Sequence, residues 1–112
     1  MTGQTLQAFK ADFFRALAHP VRIRIVEKLG GGGHSVQQLQ QALGLDQPIV
    51  SQQLSLLRAK NIVVPRKEGT TVVYTLSDPL VTKLLAVARE IFNNNLSDTR
   101  TMLRELQRER RK

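Results

Sequence analysis

The chain has 112 residues and no cysteine, which predicts one compact domain and excludes disulfides and thiolate metal sites. Lys and Arg number 17 against 9 Asp and Glu, a formal charge of +8 that favours a polyanionic partner, either nucleic acid or an anionic membrane surface. No stretch approaches the ~18 apolar residues of a membrane span, and the start lacks a basic segment followed by an apolar run, so the cytoplasm is the expected compartment.

Leu6, Phe9, Phe13 and Leu17 recur at spacings of three and four, which predicts a first amphipathic helix. His19-Pro20 ends it, and Pro20 suits the first position of a second helix over 21–29, with Ile23, Val26 and Leu29 inward. Gly30 to Gly33 read as a flexible connector. They are not a phosphate loop, because His34-Ser35 follows and no Gly-Lys-Ser/Thr does. Ser35 with Gln38 three residues on is a capping-box pair, and Val36, Leu39, Ala42 and Leu43 form the stripe of the helix it opens. Gly44 is its expected stop.

Asp46 is placed to cap a fourth helix, with Pro48 tolerated in its first turn. Val50, Leu54 and Leu57 share one face. The opposite face holds Pro48, Gln52, Ser55 and Ala59, flanked by Ser51. A solvated helix normally carries Glu and Lys there; short amides and hydroxyls instead suit close approach to base edges and phosphates. A β-hairpin follows, with strands at 62–64 and 71–75 and a basic tip, Arg66-Lys67-Glu68-Gly69-Thr70. Ser77-Asp78-Pro79 then caps a long helix bearing Leu80, Leu84, Val87, Ala88 and Ile91, broken at Asn93-Asn94-Asn95. Leu96, Leu103 and Leu106 carry the apolar face onward. The domain is read as 1–107, with 108–112 a basic tail.

Two short helices, a helix with a small polar outer face and a basic hairpin make a mainly α, α+β winged helix-turn-helix order, in which the second helix of the pair enters the major groove. Over 58–76, Arg58, Lys60, Arg66 and Lys67 stand against only Glu68, a cationic surface beside the groove-facing helix. The apolar stripes at both ends are large for so short a chain, which favours a core shared between two copies over a purely intramolecular one. The expected partners are double-stranded DNA and a second copy of the chain, with a small effector or metal ion as modulator and no membrane. The competing reading is a winged helix that binds a protein and leaves DNA alone. With no Cys, two unclustered His and no paired acids at a useful spacing, no enzyme site is expected.

Three segments in this order, ALAHPVRIRIVEKL (16–29), DQPIVSQQLSLLRAKNIV (46–63) and RKEGTTVVYTLSD (66–78), give the chain a resemblance to the ArsR/SmtB family of winged-helix repressors over nearly its whole length. The resemblance implies a homodimer built on N- and C-terminal helices, with Leu6, Phe9, Phe13, Leu80, Leu84, Val87 and Ile91 at the interface. It implies that Gln47, Pro48, Ser51, Gln52 and Ser55 face DNA, with Arg66, Lys67, Thr70 and Thr71 on the wing. It further implies repression from an inverted-repeat operator, relieved by an effector.

Two of the family's metal sites have no counterpart in this sequence. Where some members resemble one another in a Cys-x-Cys pair, Ser35 and Gln37 stand here. A second site on the last helix is matched at Asp78, but Leu80, Ile91 and Asn94 fill its other positions. A divalent ion such as nickel, cobalt or zinc would therefore need His and carboxylate ligands. His19, His34 and Asp78 are the candidates, each with an ordinary structural role as the competing reading.

Overall fold

In the computed structural model, which describes residues 5–110, the chain runs through α1 (Leu6–Leu17), α2 (Pro20–Leu29), β1 (His34–Ser35), α3 (Val36–Leu43), α4 (Gln47–Ala59), β2 (Val63–Glu68), β3 (Thr71–Leu76) and α5 (Leu80–Arg110). Local chemistry sets the helix starts. Thr5 Oγ1 accepts the Ala8 amide at 3.0 Å ahead of α1. His19 Nδ1 accepts the Val21 amide at 3.1 Å ahead of α2, whose first residue is Pro20. The capping box forms in full: the Gln38 amide donates to Ser35 Oγ at 3.1 Å, and the Ser35 amide donates to Gln38 Oε1 at 2.9 Å. Asp46 occupies the N-cap position of α4 but makes no side-chain cap bond there.

The core is made by Ile25, Val26 and Leu29 of α2, Leu39 of α3, Val50, Leu54 and Leu57 of α4, and Ile62 and Val63 at the start of the hairpin. Two expected inward residues lie elsewhere. Ile23 is half-buried and Ile25 takes its place, the fully buried stripe of α2 running through 25, 26 and 29; Ala42 is exposed.

The glycine run is a hydrogen-bonded turn, not a flexible connector. The Gly31 amide donates to Lys28 O at 3.2 Å and the Gly32 amide to Leu29 O at 3.1 Å. The chain then enters β1, which pairs antiparallel with β3 through His34↔Tyr74 and Ser35↔Val73. At Gly33 a Cβ would stand 2.6 Å from Val73 Cγ1, so this approach requires glycine. The expected hairpin is thus part of a three-stranded sheet of order β1-β3-β2. Pro65 is accommodated because β2 is an edge strand.

The hairpin strands pair from Val63↔Leu76 to Glu68↔Thr71, leaving a two-residue turn, Gly69-Thr70. Gly69 at φ +65° meets the demand for a left-handed first residue in such a turn. The ladder runs farther than the residue types alone predict, so Arg66 and Lys67 sit on β2 and not in a loop. Contacts divide the chain into two compact units, one up to Pro79 and one from Leu80 onward. The second is helix α5, 31 residues or about 46 Å long at 1.5 Å per residue. The expected break at Asn93, Asn94 and Asn95 does not occur. Asn costs a helix only a few tenths of a kcal/mol, and neither Gly nor Pro is present to end it. The helix also takes in Arg108 to Arg110, so those residues of the expected tail are helical; 111–112 lie outside the described residues.

Candidate nucleic-acid interface

Helix α4 is pinned from beneath. Val50, Leu54 and Leu57 are at most 1% exposed, and helical geometry then turns Pro48, Gln52, Ser55 and Ala59 outward, where all four are exposed together with Gln47. Ser51 is half-buried at the flank. Part of this polar set is tied up locally: Gln47 Nε2 donates to Ser51 Oγ at 2.8 Å, and Ser55 Oγ donates to Ser51 O at 3.0 Å. Gln52 makes no such bond among the described residues, which leaves both ends of its amide available to a base edge.

The passage from α4 into the hairpin is closed by backbone hydrogen bonds. The Asn61 amide donates to Arg58 O at 2.9 Å and the Ile62 amide to Leu57 O at 3.0 Å, with Asn61 left-handed at φ +60°. This is a Schellman closure with asparagine in place of the usual glycine. Arg66 and Lys67 are both exposed, and they project from opposite faces of β2 because neighbouring strand residues alternate. Arg66 Nη2 lies 2.8 Å from Glu68 Oε1 in an ion pair exposed on both sides. Such a pair is worth at most about 1 kcal/mol and exchanges readily for a phosphate. Thr70 in the turn and Thr71 at the start of β3 are exposed beside it.

One buried polar link escaped the sequence reading. Gln53 is 8% exposed, and its Oε1 accepts from Arg22 Nη1 at 2.9 Å. The same guanidinium donates through Nε to Ala16 O at 2.6 Å and reaches Arg15 O at 3.4 Å. Arg22 therefore ties the C-terminal end of α1 and helix α2 to α4. Its signal was present in the sequence, since Arg22 lies in phase with Ile25, Val26 and Leu29.

The candidate metal ligands are dispersed. His19 Nδ1 caps α2, His34 Nδ1 lies 2.8 Å from Gly32 O, and Asp78 stands two residues ahead of α5. Among the described residues no three His, Cys, Asp or Glu side chains come together in a group that could hold a metal ion. Of the expected interface residues, Leu6 and Phe9 on α1 are exposed and Phe13 is half-buried; on α5, Leu80, Val87 and Ile91 are exposed and Leu84 is half-buried.

A family model described as "Bacterial regulatory protein, arsR family" matches residues 19–64, from the cap of α2 into β2. The chain is 40% identical over 107 residues to the uncharacterized HTH-type transcriptional regulator Rv0081 of Mycobacterium tuberculosis (strain H37Rv), covering 95% of this chain and 94% of that protein. The crystal structure of M. tuberculosis Rv0081 superposes with a TM-score of 0.78 at 41% identity, covering 87% of this chain and 98% of that one. The biofilm growth-associated repressor of Xylella fastidiosa (strain Temecula1) is 37% identical over 82 residues, 73% of this chain and 72% of that protein. The solution structure of the homodimeric winged helix-turn-helix DNA-binding domain of Mb0332 from Mycobacterium bovis matches with a TM-score of 0.75 at 27% identity, covering 88% of this chain and 95% of that one. The chain belongs to the arsR family of bacterial regulatory proteins and is a winged helix-turn-helix transcriptional regulator.

Proposed function

We propose that the chain acts as a homodimer that binds an imperfect inverted repeat in duplex DNA and represses by occluding a promoter. Helix α4 reads base edges in the major groove with Gln52, assisted by Gln47, Pro48, Ser51 and Ser55. Arg66, Lys67, Thr70 and Thr71 hold the flanking backbone. The observation that carries this reading is the pairing of a small, uncharged outer face on a firmly buried helix with a cationic hairpin joined to it by a closed turn. The homodimeric state of the Mb0332 domain supports the two-fold arrangement. Two-fold symmetry sets the half-sites about one helical turn, roughly 34 Å, apart. Release requires a ligand that binds the DNA-competent and DNA-incompetent forms with different affinity.

Fluorescence anisotropy with operator and scrambled duplexes tests the surface. Gln52→Ala is expected to narrow the gap between the two duplexes by about 1–3 kcal/mol at one base position of each half-site. Arg66→Ala is expected to weaken both duplexes alike and to flatten the dependence on salt. If both variants bind as the unaltered chain does, α4 and the hairpin are not the DNA surface.

A further inference from the structure

Val50, Leu54 and Leu57 decide which side of α4 faces the core, but apolar contact has no direction and tolerates a small turn of the helix about its own axis. Such a turn matters at the outer face. Rotating α4 by about 10° carries a side-chain tip, about 5–6 Å from the axis, through about 1 Å. Hydrogen bonds to a base edge hold over a range of only about 0.5 Å. A directional contact on the inner flank removes that freedom.

Gln53 supplies one. It follows Gln52 in the chain, about 100° round the helix, at the edge of the buried stripe. Its Oε1 accepts from Arg22 Nη1 at 2.9 Å. The guanidinium is itself aimed from α1, since Nε donates to Ala16 O at 2.6 Å and Nη2 reaches Arg15 O at 3.4 Å. Both carbonyls belong to the last turn of α1, where a helix leaves its acceptors open. The planar fork has fixed donor directions, so the α4 amide is held from a point outside α4.

We propose that Arg22, acting through Gln53, is a positioning residue for base reading: it fixes the rotation of α4 and with it the aim of Gln52. The role rests on α4 being the reading helix, and it concerns discrimination between sequences, not affinity for DNA as such. The hairpin cations Arg66 and Lys67 would grip phosphates of any sequence. The aim of Gln52 counts only where the matching base lies opposite. A bond that merely stabilised the fold would leave a folded variant with its discrimination intact.

Fluorescence anisotropy on the full chain, well below its unfolding temperature, tests the role. The probes are a duplex that the unaltered chain selects from a random pool and a scrambled counterpart. Gln53→Met keeps the side-chain length and removes the acceptor. The ratio of the two affinities is expected to fall by about tenfold, with binding to the scrambled duplex unchanged. Arg22→Lys keeps the charge but loses the fork, and the ratio is expected to fall likewise. Gln53→Glu returns an acceptor to the guanidinium. It should keep the ratio of the unaltered chain while its added charge weakens both duplexes alike. Should Gln53→Met fail to fold, Arg22→Lys and Gln53→Glu decide the matter between them. An unchanged ratio in folded Gln53→Met or Arg22→Lys overturns the proposal, as does an equal loss in Gln53→Glu. If Gln52→Ala leaves the two duplexes as far apart as before, the DNA reading falls and this role with it. If Gln52→Ala narrows the gap and the other variants do not, the positioning role alone falls.

Discussion

Arg22 shows how one side chain can serve three elements at once. Its fork bonds two carbonyls of α1 and the buried amide of Gln53, and a buried amide oxygen without a donor costs about 1–3 kcal/mol. Arg22→Met is therefore expected to lower unfolding free energy by that amount in urea titration. Arg22→Lys should recover little, because a single ammonium cannot span acceptors that a planar fork meets together. At the hairpin, Glu68 holds Arg66 in an exposed ion pair. Glu68→Gln removes that competitor and one repulsive charge. Anisotropy should then give tighter DNA binding at every salt concentration in the series; unchanged affinity throughout would mean that Arg66 does not reach a phosphate.

Helix α4 is held by both its face and its end. Leu54 is 1% exposed in the middle of the buried stripe, so Leu54→Ala is expected to cost about 2–5 kcal/mol in chemical denaturation. The Schellman closure at Asn61 fixes where the hairpin begins relative to that helix. Strand β1 depends on a different constraint, the absence of a side chain at Gly33. Gly33→Ala drives a methyl group into Val73, and the neighbour beyond it, Thr75 Cγ2 at 3.1 Å, leaves little room to yield. The variant is expected to lose protection of the β1–β3 pairing in amide exchange while α4 remains protected.

On the scale of the whole molecule, each compact unit leaves apolar surface uncovered. In the first, Leu6 and Phe9 are more than 60% exposed; in the second, Leu80, Val87, Ile91, Phe92, Leu96, Leu103 and Leu106 are all more than half exposed. A monomer rarely leaves this much apolar surface in water, and a second copy of the chain is the proposed cover. Tm should then rise with protein concentration. Ile91→Asp is expected to shift sedimentation equilibrium toward the monomer and to weaken operator binding with it. A Tm independent of concentration in the unaltered chain would count against the shared core.

Much of the fold was legible because it is local. The helix starts at Pro20 and Ser35, the stop at Gly44 and the buried trio Val50, Leu54 and Leu57 follow from backbone chemistry and a 3.6-residue period, which act over a few residues. The outer face of α4 was legible for the same reason: once three inward residues are fixed, the outward ones are fixed too. Other features depended on partners distant in the chain. The pairing of His34 and Ser35 with β3, the need for glycine at position 33 and the union of Arg22 with Gln53 each join segments about 30 to 40 residues apart. No local period encodes such meetings. They arise only when packing brings the segments together and every buried polar group must find a partner there.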